Sequence, residues 1–422
     1  MTWRRAAAGT GALAIAAALL GMGAGSDVEA GRAEATAASL DVDPEEVERL
    51  RALGYVDVVA QDIAETPDGV GIHQAARVES GLNYFTNAYR CESRLISNAG
   101  DVLRTWRYEP CWKWVNSVLL PDGGVLALHY FPDDEGSAQS AAAARWLLRF
   151  DAETRLVWKR QLPVHHDVEV TPDGRIATLT YRHRRLPRVN RKHLVRDDYV
   201  TLLDADGALV EEFSIAGVLN AARDRYLFER VKIRKKNGQK EIDLLHTNSL
   251  EWMRDPELAA RDPLYALTNV VVCMRHQNRV VVIDAEKKQL VWTWGFGELS
   301  GPHDASVLPN GNFLIFDNGL GRRWSRVIEV DPKSREIVWS YAAPEPKEFF
   351  TDQRGAAQRL GNGNTLVTNS QSGVAFEVTR EGETVWNYRN PSRTADGRRT
   401  IIVRMRRVLE AAGEGAQYSR SD

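Results

Sequence analysis

The sequence predicts an all-β protein, a six-bladed β-propeller that follows a short N-terminal segment made of a polar tether and a helix. Two observations carry this prediction. A tight turn recurs along the chain between short apolar runs, and a second recurring turn is followed by a strand that ends in an aromatic residue. Radial repetition of small sheets produces such a pattern. Glycine is also frequent, with 32 residues in 422, as expected of a chain with many turns.

The first recurring turn has the residue types that a β-hairpin requires. Asn or Asp followed by Gly supplies the positive backbone φ angles of a tight turn. Apolar runs flank each copy, so each copy predicts a hairpin. The four copies are Pro121-Asp122-Gly123, Pro172-Asp173-Gly174, Pro309-Asn310-Gly311 and Gly361-Asn362-Gly363-Asn364.

The second recurring turn gives the number of blades. Six copies lead to the aromatic residues Trp106, Trp158, Phe213, Trp292, Trp339 and Trp386. The last three are spaced 47 residues apart, which is enough for two hairpins and therefore for one four-stranded blade. We expect each aromatic side chain to pack between neighbouring blades. The first blade lacks a clean first turn, and residues 400–403 are expected to add a strand there and close the ring.

The first 30 residues have the pattern of an export signal. Arg4 and Arg5 precede an apolar stretch over 6–20, and small residues follow up to Ala30. Because this stretch is short for a membrane span, we expect cleavage near Ala30, with retention as an anchor as the alternative. The protein is accordingly expected in the periplasm or outside the cell.

The rest of the chain divides into three segments. Residues 31–65 are polar and rich in Ala and Glu, and a short helix is expected there from the N-cap Asp43 to Gly54. Residues 66–410 form the propeller, and residues 411–422 form a C-terminal tail.

Charge and cysteine content narrow the function classes. Lys and Arg number 55 and Asp and Glu 57, so the net charge of −2 does not favour a nucleic-acid binder. Three cysteines are too few for a disulfide scaffold, and their spacing does not match a zinc site. In an oxidising compartment Cys91 and Cys111 are candidates for a disulfide, whereas Cys273 lies in an apolar run and is expected to be buried.

One insertion, residues 221–240, is charged and basic. It is expected to be a solvated loop near the mouth of the propeller channel. The alternative is a lid over an anionic substrate.

Three of the nine histidines occupy one position of the repeat. His166, His246 and His303 each lie six residues before the residue that begins the first turn. Equivalent positions of a radial repeat lie at the same distance from the axis, so we expect these imidazoles to converge on the channel. Such a cluster can hold a metal ion or act as acid, base or nucleophile.

Two polar residues close to this cluster favour an anionic substrate. Arg275 follows the apolar run of the fourth blade, and Asn248 lies two residues after His246. A guanidinium, an amide and imidazoles suit a sulfuryl or phosphoryl group better than a cation. We therefore expect neither a metal nor an organic cofactor.

The sequence resembles the bacterial arylsulfate sulfotransferases over residues 75–410. The strings that carry the resemblance are His246-Thr247-Asn248-Ser249, Met274-Arg275-His276-Gln277, Pro302-His303-Asp304-Ala305, Leu308-Pro309-Asn310-Gly311-Asn312 and Phe316-Asp317-Asn318-Gly319. The resemblance implies an exported six-bladed propeller. It also implies transfer of a sulfuryl group from a phenolic sulfate ester to a phenol, through a sulfohistidine and without a nucleotide sulfate donor.

Roles for individual residues follow from the resemblance. His303 matches the nucleophile, and His246, Asn248 and Arg275 match sulfuryl-binding residues. His166 matches a further catalytic histidine, with His165 as the neighbouring alternative.

Two further asparagines are expected to contact the substrate. One is Asn318, which lies in the last of the strings above. The other is Asn369, which together with Thr368 is the nearest candidate for a threonine of the family site. The implied partners are a small phenolic sulfate donor and a phenol acceptor. No nucleic acid is expected, and the membrane is expected only through an uncleaved N-terminal segment.

Two departures from the family pattern keep other hypotheses open. The segment before the first blade is too short for the extra N-terminal β domain of dimeric members, and Pro302 and Asp304 stand where Gln and Thr flank the nucleophile in well-studied members. The alternatives are a non-catalytic exported propeller that binds a ligand or a partner protein, and a metal-dependent hydrolase that uses the histidine cluster.

Overall fold

The computed structural model describes residues 67–131, 145–236, 239–394 and 397–408. Six separate β-sheets make up this part of the chain, and they are the six blades of a β-propeller, as the repeats predicted. The expected signal, tether helix and tail lie outside the described residues. Within the described part, no helix is long and apolar enough to cross a membrane.

The first two blades are antiparallel sheets built by the first part of the chain. A short strand, β1 (Gly69–His73), precedes them. Blade 1 then takes three strands, β2 (Leu82–Asn87), β3 (Glu92–Ile96) and β4 (Val102–Arg107). Blade 2 consists, from the channel outwards, of β5 (Lys113–Leu119), β6 (Val125–Tyr130), β7 (Arg145–Phe150) and β8 (Leu156–Gln161). A disulfide between Cys91 and Cys111, with Cα atoms 6.2 Å apart, joins the two blades.

Blade 3 carries the basic insertion. Its four strands are β9 (Val164–Val170), β10 (Ile176–Arg184), β11 (Leu194–Leu203) and β12 (Leu209–Ser214), and helix α1 (Ile215–Ala221) follows. The insertion ends in a hairpin of β13 (Arg234–Lys236) and β14 (Gln239–Asp243), and β14 pairs in parallel with β11. The expectation of a solvated loop over 221–240 is therefore wrong at its C-terminal end, because this part extends the sheet of blade 3.

Blades 4 and 5 continue the pattern. Blade 4 consists of β15 (Thr247–Trp252), β16 (Asn269–Met274), β17 (Arg279–Asp284) and β18 (Gln289–Trp294), with helix α2 (Pro256–Arg261) in place of the first tight turn. Asp255 caps this helix by accepting from the N–H groups of Glu257 and Leu258. Blade 5 consists of β19 (His303–Val307), β20 (Phe313–Asp317), β21 (Arg326–Val330) and β22 (Ile337–Tyr341).

Both ends of the described chain join blades made by other parts of the sequence. Blade 6 consists of β23 (Ala356–Arg359), β24 (Thr365–Asn369), β25 (Val374–Val378) and β26 (Thr384–Arg389), and β1 pairs with β26 as a fifth strand. The last strand, β27 (Ile402–Val408), pairs with β2 and is the innermost strand of blade 1. The predicted closure of the ring by the C-terminal strand is confirmed, whereas β1 was not predicted.

Tryptophan side chains link neighbouring blades at equivalent positions. The indole N–H of Trp106 donates to the carbonyl of Asp151 at 3.2 Å, in the second turn of the next blade. The same contact joins Trp158 to Ala205, Trp292 to Pro332, Trp339 to Arg380 and Trp386 to Asn98. The last of these closes the ring. The predicted packing of these aromatic residues between blades is confirmed.

Candidate active site

The candidate site lies at the end of the channel where the innermost strands begin. The ring centroid of His166, near the start of β9, lies 4.9 Å from the ring centroid of His246, just before β15. The ring of His276 lies 4.5 Å from His246 on its other side. The side chain of Asn248 donates to the carbonyl of Pro302 at 2.8 Å, which connects β15 to the residue before His303. The fold thus brings the predicted histidines to one region.

The backbone does not align the three predicted histidines at one repeat position. His166 and His246 have left-handed φ angles of 59° and 49°, whereas the left-handed residue of blade 5 is Asp304, with a φ of 49°. His303 pairs with Phe316 in the sheet, as His165 of blade 3 pairs with Leu179. Counting back from the turns was therefore wrong by one residue for His303, because the irregularity near the start of the innermost strand inserts two residues in blade 3 and one in blade 5.

His303 is a buried imidazole with a defined tautomer. Its Nδ1 lies 2.7 Å from Oδ1 of Asn318 and 3.1 Å from the carbonyl oxygen of Gly301. Both oxygens are acceptors, so Nδ1 carries the proton and Nε2 carries the lone pair. The backbone N–H of Arg354 donates to Nε2 at 3.2 Å, in agreement with this assignment.

The protonation state of His303 follows from its surroundings. Burial lowers its pKa to about 3, and the positive charge of Arg275 acts in the same direction. The imidazole is therefore neutral at physiological pH. A neutral imidazole with one fixed lone pair is a nucleophile or a base.

Asn318 contacts His303 through the oxygen of its side-chain amide. It is fully buried, and its Nδ2 donates to the carbonyls of Thr351 and Arg354, each at 2.7 Å. These bonds fix the orientation of the amide, so that Oδ1 faces Nδ1 of His303. The amide oxygen and nitrogen of Asn318 thus both have protein partners, and its expected contact with substrate stays a prediction.

Arg275 contacts one imidazole directly, since its Nη1 donates to Nε2 of His276 at 3.3 Å. It begins the 3₁₀ turn Arg275–Gln277 directly after β16, and its Nη2 donates to the carbonyl of Asp352 at 3.1 Å. Burial lowers the pKa of Arg275, and the charge of Arg234 adds to this effect. Its charge in turn lowers the pKa of both His303 and His246. An anion bound here would meet a guanidinium and neutral imidazoles.

The two other predicted substrate contacts differ in position. Asn248 is buried within the site, and its Oδ1 has no hydrogen-bond partner among the described residues, which leaves an acceptor for a ligand hydroxyl. Asn369 is buried at the end of β24 in blade 6. No hydrogen bond or ring contact in the described part of the chain joins Asn369 to the histidines. Thr368 accepts the backbone N–H of Met405.

His166 also has a fixed tautomer, through its neighbour His165. Nε2 of His165 donates to the carbonyl of Thr180 at 3.1 Å, so Nδ1 of His165 accepts from Nδ1 of His166 at 2.8 Å. The lone pair of His166 is therefore on Nε2. Burial lowers the pKa of His166 well below its usual value, and the nearby His246 contributes. His165 therefore orients His166, and the assignment of His166 as the catalytic histidine of this pair stays a prediction.

A network around Asp243 was missed by the sequence analysis. Nδ1 of His246 donates to Oδ2 of Asp243 at 2.6 Å, and Nη1 of Arg234 donates to the same oxygen at 3.1 Å. Nη2 of Arg234 donates to Nε2 of His276 at 2.9 Å. Asp243 and Arg234 belong to the hairpin of the insertion, which has no counterpart in the repeat. The only sequence signal was an Asp three residues before His246.

The geometry does not match the metal site that was considered as an alternative. Among the described residues, two groups have potential ligand atoms within 4.8 Å of one another, and neither contains His166 or His303. One group includes the disulfide, and the other is Asp243, His246 and His276. In the second group, Nε2 of His276 accepts from Arg234 and Nδ1 donates to the carbonyl of Asp243. His276 therefore has no free lone pair for a cation.

The fold and the site together define a class of protein, a β-propeller with buried histidines and an arginine at the mouth of its channel. The chain belongs to the arylsulfotransferase (ASST) family, whose model matches residues 147–391. Membership supports sulfotransferase activity and small phenolic substrates at the level of the family.

Other comparisons describe only distant similarity. No curated protein matches the sequence. A Bacteroides caccae protein of unknown function is 14% identical, with a TM-score of 0.47 over 77% of this chain and 98% of that chain. A functionally unknown protein from Desulfotomaculum acetoxidans is 12% identical, with a TM-score of 0.43 over 81% of this chain and 100% of that chain. An inactive virginiamycin B lyase from Staphylococcus aureus is 11% identical, with a TM-score of 0.42 over 78% of this chain and 86% of that chain.

Proposed function

We propose that the protein is an exported aryl sulfotransferase that moves a sulfuryl group from a phenolic sulfate ester to a phenol through a sulfohistidine at His303. The observation that carries the proposal is the state of this imidazole. Its Nδ1–H donates to Asn318, and burial together with the positive charge of Arg275 lowers its pKa to about 3. These are the properties of a neutral nucleophile next to a site for an anion.

The first half-reaction forms a nitrogen–sulfur bond and breaks a sulfur–oxygen bond. Nε2 of His303 attacks the sulfur of the donor, and the phenolate oxygen leaves with the electron pair of the broken bond. The modified ring keeps its Nδ1 proton and carries a positive charge, which the oxygens of Asn318 and Gly301 stabilise. In the second half-reaction a phenol oxygen attacks the sulfur, and the electron pair returns to Nε2.

The site also explains how a neutral cluster can bind a sulfate ester. The pKa of His246 and that of His166 are both lowered by burial and by neighbouring imidazoles. A bound anion opposes both effects and favours protonation, after which each ring can donate from Nε2. Arg275 supplies a permanent positive charge beside them.

One contact must break before the nucleophile can act. The backbone N–H of Arg354 donates to Nε2 of His303 at 3.2 Å and occupies its lone pair. Arg354 and Gly355 both have positive φ angles, 59° and 103°. We infer that approach of the donor displaces this N–H from Nε2.

Export is part of the proposal. The N-terminal sequence pattern and the disulfide between Cys91 and Cys111 support a periplasmic or secreted location, since disulfides persist in oxidising compartments. Fractionation of cells that express the full chain with a C-terminal tag tests this. Recovery of the tag in the cytoplasmic fraction would contradict export.

A transfer assay tests the activity. The purified protein is incubated with 4-nitrophenyl sulfate, with and without phenol, and 4-nitrophenol and phenyl sulfate are both measured. We expect phenyl sulfate to form in the wild type and not in folded His303→Asn. Release without acceptor that a chelator stops would indicate a metal-dependent hydrolase. Saturable binding of the ester without turnover would indicate a non-catalytic binding propeller.

A further inference from the structure

Asp243 is held in a single position inside the site by the basic hairpin. The residue ends β14, is buried, and accepts from Nδ1 of His246 and Nη1 of Arg234. Nη1 of Arg196 lies 3.9 Å from the same carboxylate oxygen. Burial raises the pKa of Asp243, but the charges of His246 and Arg196 outweigh it and hold the pKa well below its usual value. The carboxylate is therefore ionised.

His246 is oriented by this carboxylate. Because Nδ1 donates to Asp243, the remaining nitrogen is Nε2, which has no hydrogen-bond partner among the described residues. The other groups that face the ring are His166, His276 and Arg275. Burial, His276 and Arg275 oppose a positive charge on His246, whereas Asp243 favours one, and the net effect holds the pKa of His246 well below its usual value. The ring therefore gains a proton only when an anion binds beside it.

We propose that Asp243 is a positioning residue that fixes the ring of His246 and, once the sulfate ester is bound, favours its protonation for proton transfer to and from the phenol oxygen. This inference rests on the proposed sulfotransferase function. The protonated Nε2 of His246 gives its proton to the oxygen that leaves the sulfur. The neutral ring then takes the proton of the acceptor phenol as its oxygen attacks, and the cycle closes without net loss of a proton.

The basic insertion is thereby part of the active site. Arg234 contacts both Asp243 and Nε2 of His276, so the hairpin holds the carboxylate at a fixed position next to His246. Asp243 and Arg234 both lie in the hairpin of the insertion, outside the propeller repeat. The anion of a phenol with a high pKa is a poor leaving group. Its departure therefore depends more on proton transfer from His246 than does the departure of a phenol with a low pKa.

The test compares two donors in Asp243→Asn. For phenyl sulfate, whose leaving group needs a proton, we expect kcat/KM to fall roughly 10²-fold. For 4-nitrophenyl sulfate, which leaves as a stable anion, we expect a fall of about 3-fold or less. A structural role for Asp243 would lower both values equally, and an equal loss in a folded variant overturns the proposal.

A matched control removes a different buried carboxylate of blade 3. Asp197 is also fully buried and accepts from the hydroxyl of Ser214, without contact to His246. Asp197→Asn is expected to change kcat/KM for the two donors by the same factor. A donor-selective loss in this control would also overturn the proposal, because the effect would then not require contact with His246.

A double-mutant cycle tests whether Asp243 acts through His246. His246→Gln alone is expected to lose activity selectively toward phenyl sulfate, and adding Asp243→Asn to it should have no further effect. If Asp243→Asn does not fold, the donor selectivity of His246→Gln decides the question, and an equal loss for both donors overturns the proposal. Absence of turnover in the wild type would instead contradict the proposed function itself.

Discussion

The reactivity of His303 depends on which of its nitrogens carries the proton. Asn318 and Gly301 both present oxygen atoms to Nδ1, and this leaves Nε2 as the nucleophile. Asn318 in turn is held by two carbonyls. The amide of Asn318, together with the carbonyl of Gly301, therefore determines the tautomer of the reactive ring.

Replacing Asn318 tests this role. In Asn318→Ala only the weaker contact with Gly301 orients Nδ1, so we expect sulfuryl transfer to fall about 10-fold or more. The matched control is Asn390→Ala, which removes another fully buried asparagine, one that donates to Thr400. It is expected to lower stability but to leave the rate of the folded protein within about 2-fold. Equal loss of activity in both variants would contradict a specific role for Asn318.

The lowered pKa of His303 predicts an unusual acid profile. An ordinary imidazole protonates near pH 6.5 and would lose its lone pair as the pH falls through that value. In this protein the pKa is about 3, so the lone pair persists to lower pH. We expect release of 4-nitrophenol in the first half-reaction not to decline between pH 8 and pH 5. A decline with a midpoint near pH 6.5 would contradict the assigned state of His303.

Single residues of the site were predictable to different degrees. His246, Asn248, Arg275 and His303 carry strings of an enzyme family, and the fold brings them to one region. Asp243 could not be predicted, because its role arises only when the insertion folds back on the start of β15.

Among the elements, the strands and turns follow directly from local sequence. Each Asn-Gly or Asp-Gly turn forms a hairpin, because only such residues adopt its positive φ angles readily. The strands β1, β13 and β14 were not predicted, since they lie outside the repeat. The pairing of β1 with β26 joins segments far apart in sequence, which local patterns do not encode.

The indole contacts between blades predict a small, defined stability change. Trp339→Phe removes the bond from Nε1 to the carbonyl of Arg380 but keeps most of the ring packing. Blade 3 already has Phe213 at the equivalent position, so the propeller accommodates a phenylalanine there. We expect the free energy of unfolding in urea to fall by about 1 kcal/mol. A loss above about 3 kcal/mol, or none, would contradict the contact as described.

At the scale of the whole molecule, closure of the ring depends on β27. Arg407 in this strand is fully buried, and its Nη2 lies 3.0 Å from Oε2 of Glu377 in blade 6, which is also fully buried. Its guanidinium also lies over the ring of Trp386. Closure was predictable from the sequence because an open edge strand is unfavourable. The buried ion pair was not, because it joins β27 to a different blade.

Breaking this pair should weaken the entire propeller. Arg407→Met leaves the carboxylate of Glu377 without its ion-pair partner, and loss of one member of a buried pair costs about 3–5 kcal/mol. Equilibrium unfolding in urea measures the change. The control is Arg155→Met, which removes an exposed pair with Asp151 and is expected to leave the unfolding midpoint unchanged. Equal midpoints for the two variants would contradict closure through Arg407.

Covalent transfer through His303 can be measured as a burst of product in the absence of acceptor. The protein is mixed with excess 4-nitrophenyl sulfate, quenched in alkali, and analysed by peptide mass spectrometry. We expect a burst of one 4-nitrophenol per protein and one sulfuryl group on the peptide that contains His303, with neither in folded His303→Asn. Turnover without a burst, or a sulfuryl group on another residue, would contradict covalent transfer through His303.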